Sequence, residues 1–410
     1  MLRSNRNLAL VVAARFISRL GGSAVWFIGV WGTAAYTFGA STRQLAFMSA
    51  ANGLAAIAGS LTAGVLIDRF GPRKVMIGAE ILSVPPLVAM LFVDSFLPFV
   101  ACAAVFSLFG VPTWTAGASF APYIVEGRKA LERANAFIEG GAAVGFVLGP
   151  AVGAMASGAW GIPSVFVVMI VAAFLAATSA WFTRIDETPR PHVTGNAWGD
   201  FIAGLRVAYT TRSIRYFIFL GSAVWFGFGA FSALEPLFYR DVVGVDVEWI
   251  GWMNTAFGIG LISGAALLPR LPQKIVSARG LTVLTVLTGL GTVLYVGSTD
   301  LRLIAVGALV WGAFIGALEP LLRTLLHLDS PHEYVGRIVG TAQWHRGAGE
   351  LLPLAFVPGL AALVGIQETL IAGGVLVSIA ALGGLRTAWA VDRARPQMGE
   401  EELAGAAEAA

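Results

Sequence analysis

The sequence predicts an all-α polytopic membrane protein of twelve transmembrane helices, arranged as two six-helix bundles. Three observations carry that expectation. Hydrophobic residues make up 57% of the 410 residues and charged residues only 12%, about half of the roughly 25% typical of a soluble domain. Apolar runs of about 20 residues, each long enough to cross ~30 Å of hydrocarbon, recur along the whole chain. These runs come as six, then an extended polar stretch, then six more. Helices satisfy their own backbone in lipid, and the alternating ten-residue segments of a membrane barrel are absent.

In order, spans are expected at 8–38, 46–67, 75–93, 97–120, 135–158 and 162–183, then at 216–239, 248–269, 279–297, 302–324, 339–363 and 368–391. This divides the chain into an N-terminal bundle (1–183), a cytoplasmic linker (184–215), a C-terminal bundle (216–391) and a tail (392–410). The linker holds Asp186, Glu187, two prolines and five arginines. Within it, Trp198, Phe201, Ala203 and Leu205 suit a short interfacial helix. The acidic tail after Arg395 is expected to be disordered. The basic start MLRSNRN runs straight into the first span without a small-residue cleavage site, which reads as a retained cytoplasmic start rather than a signal peptide. Lysine and arginine crowd the even-to-odd loops and the termini, while the opposite loops hold only Arg43, Arg240 and Arg302. That bias places both termini in the cytoplasm of a cell-membrane protein. The net charge of +3 then reflects topology, and no nucleic-acid partner is expected.

Other classes lack their signatures. Cys102 has no partner for a disulfide, and His192, His327, His332 and His345 show no metal-ligand spacing. Neither a nucleophile elbow nor a phosphate loop is evident, so no catalytic residue, metal, cofactor or ATP-driven pumping is expected. Gly258-x-Gly260-x-x-x-Gly264 follows no strand and is a packing motif.

Internal symmetry is visible. Ala-Leu-Glu-Pro-Leu occurs at 233–237 and again at 317–321, late in spans 7 and 10. Those spans open two consecutive three-helix units running in opposite directions, as in 3+3 inverted repeats. A weaker echo links ERANAF at 132–137 to GRIVGT at 336–341.

Between Gly64 and Lys74 the chain reads GVLIDRFGPRK, and Asp68, Arg69, Arg73 and Lys74 are the only charges between Arg43 and Glu80. Such a knot belongs at the membrane surface. Gly64 is expected to let span 2 approach a neighbour closely and Gly71 to permit the turn. Asp68 is expected to face a helix N-terminus or a basic partner, forming a conformational latch. The stretch Gly264 to Lys274 keeps Arg270 and Lys274 but lacks the acid, which assigns the latch to one half. Span 5 carries Gly145, Gly149, Pro150 and Gly153, a smooth face with a proline bend.

Ionisable groups inside spans must be compensated or used. The acids are Glu80, Glu139, Glu235, Glu319 and Glu350, and the bases are Arg15, Arg19, His345 and Arg346. Glu80 and Glu139 are expected each to neutralise a nearby arginine. Glu235, Glu319 and Glu350, with Arg19, are candidates for proton coupling, because a carboxyl in alternating surroundings picks up and releases protons. Pro236 and Pro320 would hinge the helix beside two of these acids. Trp26 and Trp31 in span 1, Trp114 in span 4, and Trp225 and Phe228 in span 7 are candidates to line a cavity for bulky lipophilic or cationic compounds.

These features cover nearly the whole chain, which resembles the major facilitator superfamily. The pattern Gly64-x-x-x-Asp68-Arg69-x-Gly71 followed by Arg73 and Lys74 resembles that superfamily's signature between helices 2 and 3. The span-5 Gly-Pro stretch resembles its motif for exporters that exchange substrate for protons. In particular the chain is similar to the macrolide-efflux and siderophore-exporter-like branch of drug:proton antiporters. Ser18-x-Leu20-Gly21-Gly22 is similar to that branch's early Ser-x-x-Gly-Asp, with Gly22 in place of the acid. Glu80 stands where the branch often has an acid, and Ser83 where it often has arginine. The resemblance implies two bundles rocking about a central cavity, working as a monomer on protons and an amphiphilic small molecule or drug. An uptake carrier, a siderophore exporter and a lipid flippase stay open, as does, from a different class, a non-transporting receptor or enzyme.

Overall fold

A computed structural model describes residues 5–185, 197–331 and 334–394, and every regular element among them is helical. Asp186, Glu187, His192, His332 and the tail expected to be disordered lie outside the described residues. The helices are α1 (Arg6–Ala24), α2 (Thr42–Phe70), α3 (Pro72–Met90), α4 (Phe96–Ala118), α5 (Arg128–Trp160) and α6 (Pro163–Trp181). After the linker come α7 (Ala197–Thr210), α8 (Arg212–Leu237), α9 (Glu248–Leu267), α10 (Ala278–Val296) and α11 (Leu301–Asp329). The last four are α12 (Val335–Leu351), α13 (Val357–Val364), α14 (Ile366–Gly383) and α15 (Leu385–Ala394).

Local chemistry sets several boundaries. Ser41 and Gln44 close a capping box at the start of α2, satisfying N–H groups that have no helical acceptor. Gly71, at φ +81°, turns α2 into α3, and Pro72 follows at the first helical position. The span running into α13 is bent by 45° at the break after Ala355, where Pro353 and Pro358 remove backbone donors. The first span continues from α1 through π-helical turns at Val25–Val30 and Thr33–Thr37, and α8 ends in another at Phe238–Val243. Short π segments of this kind recur at functional positions.

Among the described residues, ten helices are long and apolar enough to cross a membrane, eleven with the bent pair. The twelfth expected span is α3, a 19-residue helix that carries Arg73, Lys74 and Glu80. The protein is a multi-pass membrane protein. The stretch predicted to form a short helix in the linker is helical as α7.

The chain forms two compact units: Met1–Val193 with Tyr239–Thr255, and Thr194–Phe238 with Ala256–Ala410. In the first, α1 packs along α5 and α6, α2 against α4, and α3 against α4 and α6. The α1–α5 contact depends on glycine. A Cβ at Gly145 would run into the Phe16 carbonyl, at Gly149 into Ser23 and the Leu20 carbonyl, and at Gly153 it would crowd Ile28 and Ala24. Small residues let two backbones touch where lipid offers no hydrophobic drive. The same unit takes in Arg240, which donates to the Ala35 and Ala40 carbonyls at the end of the first span, while the Tyr36 hydroxyl donates to Val245 O at 3.0 Å.

In the second unit, α10 packs against α11 and α14, and α8 against α12 and α14. Gly260 and Gly264 abut the Leu309 and Ala313 carbonyls of α11, so that glycine pattern does pack helices. Asp392 of α15 accepts from the backbone N–H of Ala278 (2.7 Å) and from Arg279 Nε (2.7 Å), capping α10.

Candidate functional site

In the first unit, two turns of α1 carry the charges. The Arg15 side chain is 2% exposed, and its guanidinium donates to Glu139 Oε1 of α5 at 2.9 Å and to the Trp114 carbonyl of α4 at 3.0 Å. Gly117, one turn beyond Trp114 on α4, leaves the room this side chain fills. Glu139 therefore does neutralise an arginine, as its sequence position predicts. One turn on, the Arg19 guanidinium lies 5.0 Å from the Trp114 ring centre and 5.1 Å from that of Phe146. It is held by two aromatic faces, a cation–π arrangement that strengthens away from water. Trp26 and Trp31 meet edge to face at 5.8 Å further along the first span.

Glu80 departs from expectation. It is 1% exposed and no arginine pairs with it among the described residues. Its Oε1 has no hydrogen-bond partner. Arg15 is committed to Glu139, a choice that spacing along one chain does not reveal.

The loop between α2 and α3 also differs in detail from the expected latch. Asp68 is exposed, and a Cβ at Gly64 would meet nothing within 4 Å. The contact this loop does make is through Arg73, which donates to the Ala180 and Trp181 carbonyls at the end of α6 (3.3 and 2.6 Å). Cations suit that end of a helix dipole. Arg69 lies over the ring of its neighbour Phe70, and Lys74 is exposed. In the second unit, Arg270 instead caps its own helix through the Ala266 carbonyl (2.6 Å).

The second unit gathers a tighter constellation. Trp225 of α8 donates its indole N–H to Glu319 Oε1 of α11 at 2.9 Å. The Arg346 guanidinium of α12 lies 3.5 Å from the centre of the Trp225 ring and 3.8 Å from Glu319 Oε2. Phe228 sits one turn from Trp225, with ring centres 5.0 Å apart. Glu350 follows Arg346 by one turn of the same helix, so the guanidinium feels both the Glu319 and the Glu350 carboxylates. Both members of the Arg346–Glu319 pair are about a third exposed, so protons and solutes can reach them. Arg323, exposed and one turn along α11 from Glu319, joins them at the wall of a cavity of about 50 Å³. That volume suits a water or two and falls far short of the 300 Å³ or more of a drug-sized pocket.

Glu235 belongs elsewhere: ten residues along α8 from Trp225, it is roughly 15 Å away. It accepts from the Tyr295 hydroxyl at 2.7 Å. Tyr295 stacks on Trp311, which also meets Phe231 and Phe257 at 4.7 and 4.9 Å. This aromatic cluster escapes sequence reasoning because its members come from four helices. The residues proposed for a substrate cavity thus fall into separate groups: Trp26 with Trp31, Trp114 with Arg19, and Trp225 with Phe228.

The model of the Major Facilitator Superfamily matches residues 11–353, and the chain belongs to that family. It is a transporter rather than an enzyme. Among curated relatives, it is 24% identical to the multidrug efflux pump Tap of Mycobacterium tuberculosis, covering 97% of this chain and 99% of that one. It is 23% identical to the MFS-type transporter YfiS of Bacillus subtilis, over 92% of each. Among solved structures, its fold is similar to that of the nucleoside transporter NupG (TM-score 0.74, 13% identity, 93% of this chain and 100% of that one). It is also similar to a peptide transporter POT in complex with sulfate (TM-score 0.74, 15% identity, 95% of each).

Proposed function

We propose that the protein is a proton-coupled exporter of amphiphilic small molecules, working by alternating access in the cell membrane with both termini in the cytoplasm. The observation that carries this reading is the interaction of Arg346 with both Glu319 and Glu350. Glu319 and Glu350 both draw on Arg346, while Arg323 at the same cavity wall is exposed and screened by solvent, so the two carboxylates are incompletely neutralised, a costly condition in a span. A proton or a cationic substrate relieves it, and when one is bound the other gains less. That competition is what exchange of one for the other requires. Trp225 fixes Glu319 through its indole N–H and offers its face to Arg346, so the three side chains respond together. The similarity to proteins named multidrug efflux pumps supports export of drug-like compounds. The remaining assignments (a monomer, Asp68 with its neighbours as latch, and Gly145, Gly149, Pro150 and Gly153 as antiporter motif) follow from the same reading.

The test is accumulation of ethidium in inside-out vesicles energised by an acidic interior. Accumulation is expected to collapse on adding a protonophore and to be lost in Glu319→Gln and Glu350→Gln. Equilibration that ignores the gradient would make the protein a facilitator.

A further inference from the structure

Glu80 is the ninth residue of the 19-residue α3, deep within a span, and it plays no part in the exchange just described. Its surroundings can be specified helix by helix. The helices α4 and α6, which pack along α3, contain no charged residue. The charges of α2 (Arg43, Asp68 and Arg69) lie in its first and last turns. On α3 itself, Arg73 and Lys74 sit in the first turn, and Arg73 holds the carbonyls at the end of α6. On α1, the Ser18 hydroxyl is the hydrogen-bonding neighbour of the carboxyl. The arginines flanking Ser18 are engaged elsewhere, Arg15 with Glu139 and Arg19 with the Trp114 and Phe146 rings. Ser83, 3% exposed, donates to the Glu80 backbone carbonyl at 2.7 Å and leaves the carboxyl alone. Oε1 is orphaned.

A carboxylate here would have neither a cation nor a second donor, whereas the neutral acid fits the site. We infer that Glu80 is a second proton-carrying site, closed by Ser18 and held in the acid form in this conformation. The helix that brings Ser18 to it, α1, rests on the glycine face of α5, and movement of α1 admits water to the carboxyl. The acid then gives its proton to that water and takes one back from the other side of the membrane. No bond to carbon changes and nothing is oxidised or reduced. This inference rests on the proton-coupled reading of the protein, but concerns the opposite unit from Glu319 and Arg346.

The experiment pairs transport with spectroscopy on the full-length protein reconstituted in lipid. Infrared difference spectra across a pH step are expected to show a protonated-carboxyl C=O band in the wild type that is missing from Glu80→Gln. Glu80→Gln keeps the shape and the neutral charge, so ethidium counterflow is expected within about 2-fold of wild type. Accumulation driven by a pH gradient is expected to fall by ~10-fold or more, the equivalent of about 1.4 kcal/mol. Glu80→Asp, which restores a titratable group, is expected to recover part of that coupling. Full gradient-driven accumulation by Glu80→Gln would overturn the inference and make Glu80 a permanently neutral packing residue. So would an aspartate variant no better coupled than the glutamine one. A wild type that ignores the pH gradient would instead remove the exporter reading itself, and the infrared band would still report the state of Glu80.

Discussion

Arg15 and Arg346 are both arginines inside spans, yet they differ in what surrounds them. Arg15 is sealed, with one carboxylate and one carbonyl as partners. Removing its acid leaves a stranded cation, whereas replacing the arginine with a similar apolar shape leaves an acid that water already reaches. Glu139→Gln is therefore expected to cost about 2 kcal/mol, below the 3–5 of a fully enclosed pair because Glu139 is half exposed. Arg15→Met is expected to cost about half as much; thermal melts in detergent compare the two, and the opposite ranking would contradict the burial argument. Arg346 is open and shared, and its loss should be felt in transport before stability. Arg346→Ala is expected to lower gradient-driven transport by ~10-fold or more while leaving the melting temperature close to wild type. The acids of both sites were legible from the sequence because charge is rare in apolar runs. Their partners were not. Arg15 meets Glu139 across 124 positions, and Trp225 meets Glu319 across 94; periodicity along one helix carries no information on such pairings.

At the level of helices, the glycines of α5 and Gly64 of α2 read alike in the sequence, as small residues awaiting a neighbour. The structure separates them. Gly149 already has the α1 backbone against it, so Gly149→Val is expected to destabilise the fold by about 1–3 kcal/mol through overpacking. Gly64→Ala enters open space and is expected to leave stability within about 0.5 kcal/mol. Slower ethidium transport by a fully stable Gly64→Ala would show that this glycine finds its neighbour in another conformation, as a latch requires. Unchanged stability and transport together would remove Gly64 from the latch. The positions of α2, α4, α5 and α6 follow the apolar runs closely, since length and hydropathy decide them. The π-helical turns at Val25–Val30, Thr33–Thr37 and Phe238–Val243 have no such signature, because their wider winding is imposed by packing rather than by residue type.

Across the whole molecule, the fold is that of a family of membrane transporters, and the proposed orientation, with both termini in the cytoplasm, rests on an even number of spans with basic residues in alternate loops. In a Cys102→Ala background, a thiol placed by Arg43→Cys is expected to react with an impermeant reagent from outside the cell, and one placed by Lys129→Cys only after the membrane is opened. The reverse pattern would invert the topology. The central claim is that a proton and a cationic substrate compete for the charge shared by Glu319, Glu350 and Arg346. Proton release on adding ethidium to the purified protein in weak buffer measures this directly. Protons are expected to be released by the wild type and by Arg15→Met, with little or no release by the Glu319→Gln/Glu350→Gln double variant. Ethidium binding that displaces no proton from the wild type, or equal release from the double variant, would contradict it.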